Sequence, residues 1–404
     1  MIQIERISNR LNEVNRIGFD ERTGGINRHS FTIEEQQAID LITQYMQRAG
    51  MSVSIDAIGN VIGQMGQGEE TIMLGSHIDT VPDGGRFDGL LGVIAAIEVA
   101  QTLSENHFTF NKTLKVVAFK DEEGTRFGFG LIGSKAMAGL LTEEHLQMTD
   151  ANGISIAEAM QSFNLSPALI KEAEIQPISA YLELHIEQGK VLENLDVPVG
   201  IVTGIAGPLW LEVTIEGLRE HAGATPMNIR QDALTGASEI IVEIEKMIQQ
   251  YAPAVATVGK LNVEPNGINV IPGKVVFVID LRDIDEQLIT KYEQNILQIA
   301  QTIAHRRQLK LTVRELQRVK PAQADAVIQQ CLATQIEKHN LPVHHLVSGA
   351  GHDAMFLAQK APMGMLFVRS KDGISHNPLE YTSLKDIEIA THILYDTTVA
   401  LLTK

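Results

Sequence analysis

Five side chains of metal-binding type are spread along the chain in five short motifs. They are His77 in GSHIDT, Asp88 in GRFDG, Glu123 in KDEEGTRF, His185 in ELHIEQG and His376 in ISHNPLE. Each motif has the local character of a strand end or a glycine-bounded loop. Imidazole and carboxylate donors together suit zinc, manganese, cobalt or nickel. Five ligands fall one short of two separate three-ligand sites. The shortfall closes if Asp88 bridges two ions, which leaves positions on both for water. This is the donor count of a co-catalytic two-metal hydrolase.

The neighbours of these residues fit the same chemistry. Asp79 follows His77 by two residues, so on an extended strand end the two side chains point the same way. A carboxylate there takes the second imidazole N–H and fixes the tautomer of a ligating histidine. Glu122 precedes Glu123 directly, and in an irregular loop one of the pair can bind metal while the other handles protons. The pair follows the apolar run LKVVAF, and the carboxyl end of a strand is where α/β folds place their sites.

Strands and helices alternate along the chain. The apolar runs TIMLGSH, LKVVAF, AYLELHI and GMLFV have the length of buried strands, with helical stretches between them. The pattern predicts an α/β fold with a mainly parallel sheet and helices on both faces. Between roughly 208 and 320 the rhythm changes to strand LWLEVTIEG, a helix over 232–250, strands ATVGKLNV and KVVFVIDLRD, a helix over 286–306 and strand LKLTVREL. That β-α-β-β-α-β order is ferredoxin-like. The expected division is a discontinuous first domain, 1–207 with 321–404, and an inserted second domain, 208–320.

The motifs HIDTV, GRFDG, DEEG, ELHIEQG, EHAGATPM, GAGHDA and SHNPLE, in this order, resemble those of the di-metal aminoacylase and carboxypeptidase G-like family. Within it they are similar to the hydantoinase/carbamoylase branch of N-carbamoyl-L-amino acid hydrolases, β-ureidopropionases and allantoate amidohydrolases. The likeness runs from GGINR near residue 25 to SHNPLE near residue 380.

The resemblance implies two divalent ions per subunit, His77 and His185 completing the shell of one, Glu123 and His376 that of the other, and Asp88 between them. It makes Glu122 the general base, with Asp79 beside His77. It makes the inserted domain a lid and dimerisation domain, whose His221 in EHAGATPM reaches the partner subunit's site and stabilises an oxyanion. Gln188, Asn269 in GINVIP, Arg282 in DLRD, Gly351 and His352 resemble substrate-binding positions. Arg282 offers a planar fork suited to a carboxylate, although Asp280 and Asp283 are competing partners close by. Relatives that cleave peptides carry a carboxylate where this chain has His185, which disfavours a peptidase or aminoacylase. The expected reaction is hydrolysis of the ureido C–N bond of an N-carbamoyl-L-amino acid, with allantoate as the competing substrate. A catalytically silent metal-binding scaffold is the alternative from another class, and the presence of every expected ligand and of Glu122 argues against it.

Composition sets the outer limits. A chain of 404 residues is long enough for two cores. A formal net charge of −17 argues against nucleic acid and anionic membranes as partners. The single cysteine, Cys331, excludes an internal disulfide framework and favours the cytoplasm. The first residues, MIQIERISNRLNEVNRIG, read as a charged amphipathic helix rather than a signal peptide. The apolar run LLGVIAAIEVA at 90–100 is far shorter than the ~20 residues that span a bilayer, and it reads as a buried helix.

Overall fold

The computed structural model describes residues 1–403 and divides into two compact units. The first comprises Met1–Thr203, Gln323–Ser348 and the chain from His352 onward; the second comprises Gly204–Ala322 with the tripeptide Gly349–Gly351.

The first unit is built on a nine-stranded sheet. Its centre is four adjacent parallel strands, Thr113–Phe119, Thr71–His77, Ala180–Ile186 and Met363–Val368. Every residue of the last two is buried, as expected where helices cover both faces of a parallel sheet. The flanks turn antiparallel. Val61–Met65 and then Ser52–Ile55 add to one side, and Val199–Ile205 pairs with Met363–Val368 on the other. Helix Leu90–Glu105 is buried along nearly its whole length. Its one buried acid, Glu98, is matched by Arg6 at 2.6 Å. Helices Ile4–Val14, Ile33–Arg48, Ala326–Lys338 and Leu384–Thr403 complete the same apolar core. A second core gathers the residues after the Glu122–Glu123 pair, including Phe127, Ile132, Ala136 and Met160, around Phe31 and Ile58.

This topology sets the position of the site. His77 ends its strand, Asp121 to Glu123 follow Phe119, His185 is the penultimate residue of its strand, and Ser370 follows Val368 by two. The carboxyl ends of all four parallel strands therefore carry polar groups.

The second unit is a four-stranded antiparallel sheet in the order Lys310–Arg318, Gly207–Glu216, Lys274–Asp283, Val255–Glu264. With helices Ala233–Ile248 and Glu286–Arg306 this is the ferredoxin-like β-α-β-β-α-β arrangement. Strict alternation of burial in the two central strands shows that helices cover a single face. Leu209, Leu211, Val213 and Ile215 share that core with Val275, Phe277, Ile279 and Leu281. Ala233, Ala237, Ile240, Ile244 and Ile248 present one stripe of the first helix to it, each isoleucine contributing about 1.5–3 kcal/mol by burial. Asp232 and Asp285 cap the two helices by accepting from the second and third backbone N–H groups.

Candidate metal centre

Asp88 lies at the middle of the polar cluster in the first unit. Its Oδ1 is 3.1 Å from His185 Nε2 and 3.4 Å from His77 Nε2, and its Oδ2 is 3.4 Å from His376 Nε2. His376 Nε2 is also 3.5 Å from Glu123 Oε2, and His77 Nε2 is 3.7 Å from Glu122 Oε2. Two donor groups compact enough to hold an ion therefore share Asp88: His77–Asp88–His185 and Asp88–Glu123–His376. Two further groupings, His77–Glu122–Glu123 and Glu183–His185–His352, overlap them.

Local structure explains why the donors converge. Gly89 has φ +63°, and a Cβ there would collide with the His77 imidazole, so only glycine lets the Asp88 turn close over the ring. His376 itself has φ +55°, in the left-handed region, a strained conformation of the kind that collects at functional sites. Asp79 has two tasks. Its backbone carbonyl is 3.2 Å and its carboxylate 3.5 Å from His77 Nδ1, and its two carboxylate oxygens accept from the backbone N–H groups of Glu122 and Glu123, both at 3.1 Å. One residue thus contacts the histidine, chiefly through its carbonyl, and holds the glutamate pair through its carboxylate. His185 directs Nδ1 to the Ile186 carbonyl at 2.9 Å, which leaves Nε2 as its ligating nitrogen.

The electrostatics ask for a cation. Burial opposes ionisation of Asp88, yet the imidazoles of His185, His376 and His77 hold its carboxyl well below the usual range. Burial and the neighbouring Asp88 push Glu123 up to about 7. Burial, followed by Glu123 and Asp353, pushes Glu122 well above the ordinary carboxylate range, against the pull of His77. The hydrogen bond to Asp88 lifts His376 to about 9 against burial. Among the described residues, the ion-pair partners of Asp79, Asp88, Glu122 and Glu123 are imidazoles alone. Nitrogen and oxygen donors that converge in this way, buried at His77, Asp88 and His185, half-buried at Glu123 and exposed at His376, are the donor chemistry of a divalent cation, so the residues present fit one.

Three supporting residues were not singled out from the sequence. Glu380 accepts from the backbone N–H of Phe87 at 2.7 Å and of Asp88 at 3.0 Å, and its other oxygen meets Ser375 Oγ at 2.8 Å. Ser375 Oγ is likewise 2.8 Å from Asp88 Oδ2. Glu183 receives Ser76 Oγ, Tyr181 OH and the Ala354 N–H at 3.0–3.1 Å, which fastens the segment after His352 to the sheet. The signal for Glu183 was present: it stands two residues before His185 in a buried strand and so shares its face. Glu380 closes the SHNPLE motif, but nothing local marks its partner nearly three hundred residues away.

The proposed substrate contacts are distributed over both units. In the first, Gln188 donates to Asp88 Oδ2 at 2.7 Å, and its own amide oxygen is buried without a partner. His352 is buried, 4.4 Å ring to ring from His185, with Nε2 2.9 Å from Ser348 Oγ. In the second unit His221 and Asn269 are exposed and Gly351 is half-buried. His221 Nδ1 accepts from the N–H groups of Gly223 and Ala224 at 3.1 and 3.2 Å, so the neutral ring carries its proton on Nε2 and can donate outward. Arg282 is engaged on one edge: Nε and Nη2 grip Asp280 at 3.0 and 2.9 Å, while Nη1 donates to the Gly349 carbonyl at 2.7 Å. With five N–H donors in all, the guanidinium retains unused donors on its Nη1 and Nη2 nitrogens.

Residues 73–399 match the model of peptidase family M20/M25/M40. The chain is 46% identical over 402 residues to an N-carbamoyl-L-amino acid amidohydrolase of Geobacillus stearothermophilus, covering 98% of each chain. It is 36% identical over 378 residues to an allantoate amidohydrolase of Bacillus subtilis, covering 92% of each. Among solved structures, an amidase of the hydantoinase/carbamoylase family from Burkholderia multivorans superposes with a TM-score of 0.93 at 34% identity, covering 100% of this chain and 98% of the other.

Proposed function

The chain belongs to peptidase family M20/M25/M40, and from that premise we propose that it hydrolyses N-carbamoyl-L-amino acids to the amino acid, ammonia and carbon dioxide. The observation that carries this reading is the sharing of Asp88 by two compact donor groups. It supports two divalent ions (zinc, manganese, cobalt or nickel), one held by His77 and His185, the other by Glu123 and His376, with Asp88 between them. The presence of an imidazole at 185 and the likeness to the Geobacillus amidohydrolase favour a ureido substrate over a peptide.

When bound, such a pair of cations polarises the ureido oxygen and brings the pKa of water towards neutrality. The rest falls to the protein. Glu122, buried and proton-hungry, takes a proton from the attacking water and returns it to the departing nitrogen. Water oxygen adds to the ureido carbon, the bond from that carbon to the amino-acid nitrogen breaks, and the carbamate left behind falls apart to ammonia and carbon dioxide. Asp79 keeps His77 and both glutamates in register through the reaction. His221 donates from Nε2 to the developing oxyanion in the partner subunit's site, the 204–322 unit serving as lid and dimer contact. Arg282 meets the substrate carboxylate with its remaining Nη donors, and Gln188, Asn269, Gly351 and His352 are further substrate contacts.

The test is ammonia release from N-carbamoyl-L-methionine, N-carbamoyl-β-alanine and allantoate by metal-reconstituted protein. Turnover of the methionine derivative is expected. Preference for allantoate would select the activity of the Bacillus relative instead. Turnover of an N-acyl amino acid or dipeptide alone would overturn the substrate class.

A further inference from the structure

The GGINR run near residue 25 has no part in the chemistry above, yet it ends in the largest fully buried side chain of the first unit, Arg28 at 0% exposure. The run is laid against the segment that follows His77. Ile26 and Gly84 exchange both backbone hydrogen bonds at 3.1 and 2.9 Å, and the Asp83 N–H meets Asn27 Oδ1 at 2.9 Å. Thr80 N–H donates to the Arg28 carbonyl at 3.1 Å, Arg28 N–H donates to Thr80 Oγ1 at 3.0 Å, and that hydroxyl donates to the Ile26 carbonyl at 3.0 Å. A Cβ on Gly25 would stand 2.5 Å from the Asp83 Cα, so the approach is as close as backbone allows.

The guanidinium continues this attachment into the site. Nε donates to the Ile78 carbonyl at 2.6 Å, and Nη1 reaches the Val14 and Ile17 carbonyls at 3.5 and 3.4 Å, at the carboxyl end of the Ile4–Val14 helix. Ile78 is the residue between His77 and Asp79. Enclosing a charged group is unfavourable unless something answers it, and a neutral donor would satisfy the carbonyls at lower cost. The carboxylates of Asp79 and Glu35 offset the charge, and Asp79 is the residue that contacts His77 and holds the glutamate pair.

We propose that Arg28 is a positioning residue of the metal centre: by clamping the Ile78 carbonyl to the end of the first helix it fixes the turn that aims His77 and Asp79. The proposal rests on the reading of His77 as a ligand. Zn²⁺ affinity of the full chain, measured by competition with a chromophoric chelator, tests both. Arg28→Lys keeps the charge but cannot span the carbonyls, and Arg28→Met removes both. We expect Zn²⁺ affinity to fall about 10-fold or more in each, within the range for partners that orient ligands, with kcat reduced and KM little changed. A purely structural arginine would lower the melting temperature of the Zn²⁺-free protein and leave affinity at the parent value, and that result in Arg28→Lys overturns the proposal. Should neither variant fold, Thr80→Val, which removes the hydroxyl beneath the Arg28 N–H, decides on the same readout. His77→Ala separates the two readings. If it binds Zn²⁺ like the parent, the ligand assignment fails; if it loses an ion while the Arg28 variants do not, only the positioning role fails.

Discussion

Glu380 offers a sharp test of how Asp88 is held. Its Oε1 accepts two backbone N–H groups, those of Phe87 and Asp88, in a buried setting. Glu380→Gln preserves the shape: the amide oxygen takes the two N–H groups and the amide nitrogen faces Ser375. Only charge is lost. Hydrogen bonds to charged groups contribute about 1.5–3 kcal/mol against about 0.5–1.5 for neutral ones, so two bonds forfeit about 2 kcal/mol. If that loss is expressed in the placement of Asp88, metal affinity drops about 30-fold, inside the 10–100-fold range for residues that orient ligands. Glu380→Ala is worse, because it strands both N–H groups at about 1–3 kcal/mol each. The assay is chelator competition for Zn²⁺ followed by ammonia release at saturating metal. Glutamine should recover near-parent turnover once metal is in excess, since Glu380 touches no reacting atom; alanine should not. Parent-like affinity in both variants would show that the Asp88 turn holds itself and would refute the reasoning.

Three other outcomes are expected. Glu122→Gln should slow ammonia release about 10²–10⁴-fold with metal content intact, whereas Asp88→Asn should lower occupancy of both ions; loss of metal in the first would mean that Glu122 and Glu123 have exchanged roles. Mixing inactive His221→Ala subunits with inactive Glu122→Gln subunits should restore activity, and a mixture that stays inactive with subunit exchange confirmed would remove His221 from the partner's site. Arg282→Lys should raise KM for carboxylate substrates about 10–150-fold, corresponding to 1.5–3 kcal/mol, and Arg282→Ala further; unchanged KM would leave Arg282 as the Asp280 partner only.

The sequence made the five candidate ligands readable because each of His77, Asp88, Glu123, His185 and His376 lies at a strand end or a glycine-bounded turn, and those local signals survive without a structure. The buried strands were readable from apolar runs, and the second unit from its alternation of helices and strands. What escaped was held by long-range pairing. The partner of Glu380 lies nearly three hundred residues away, and the burial of Arg28 depends on a helix and a turn that meet only in the fold. The Asp280 grip on Arg282 was visible two residues away, yet which edge of the guanidinium it takes was not. Membership of Gly349–Gly351 in the second unit has no linear signature at all.

The strand order also constrains how the chain comes to be made. The parallel partner of Ala180–Ile186 is Met363–Val368, which the ribosome delivers only after the whole inserted unit, and His376 follows later still. The sheet and both helices of the second unit lie within Gly204–Ala322 and can pair as they emerge, with only Gly349–Gly351 to follow, whereas the central sheet must wait with one side open. Pairing across such separations is slow and leaves apolar edges exposed meanwhile. His376, the last of the five proposed ligands to leave the ribosome, is therefore among the last parts of the protein to find its place, so on that proposal a nascent chain has no complete centre to load, and metal uptake would mark finished synthesis.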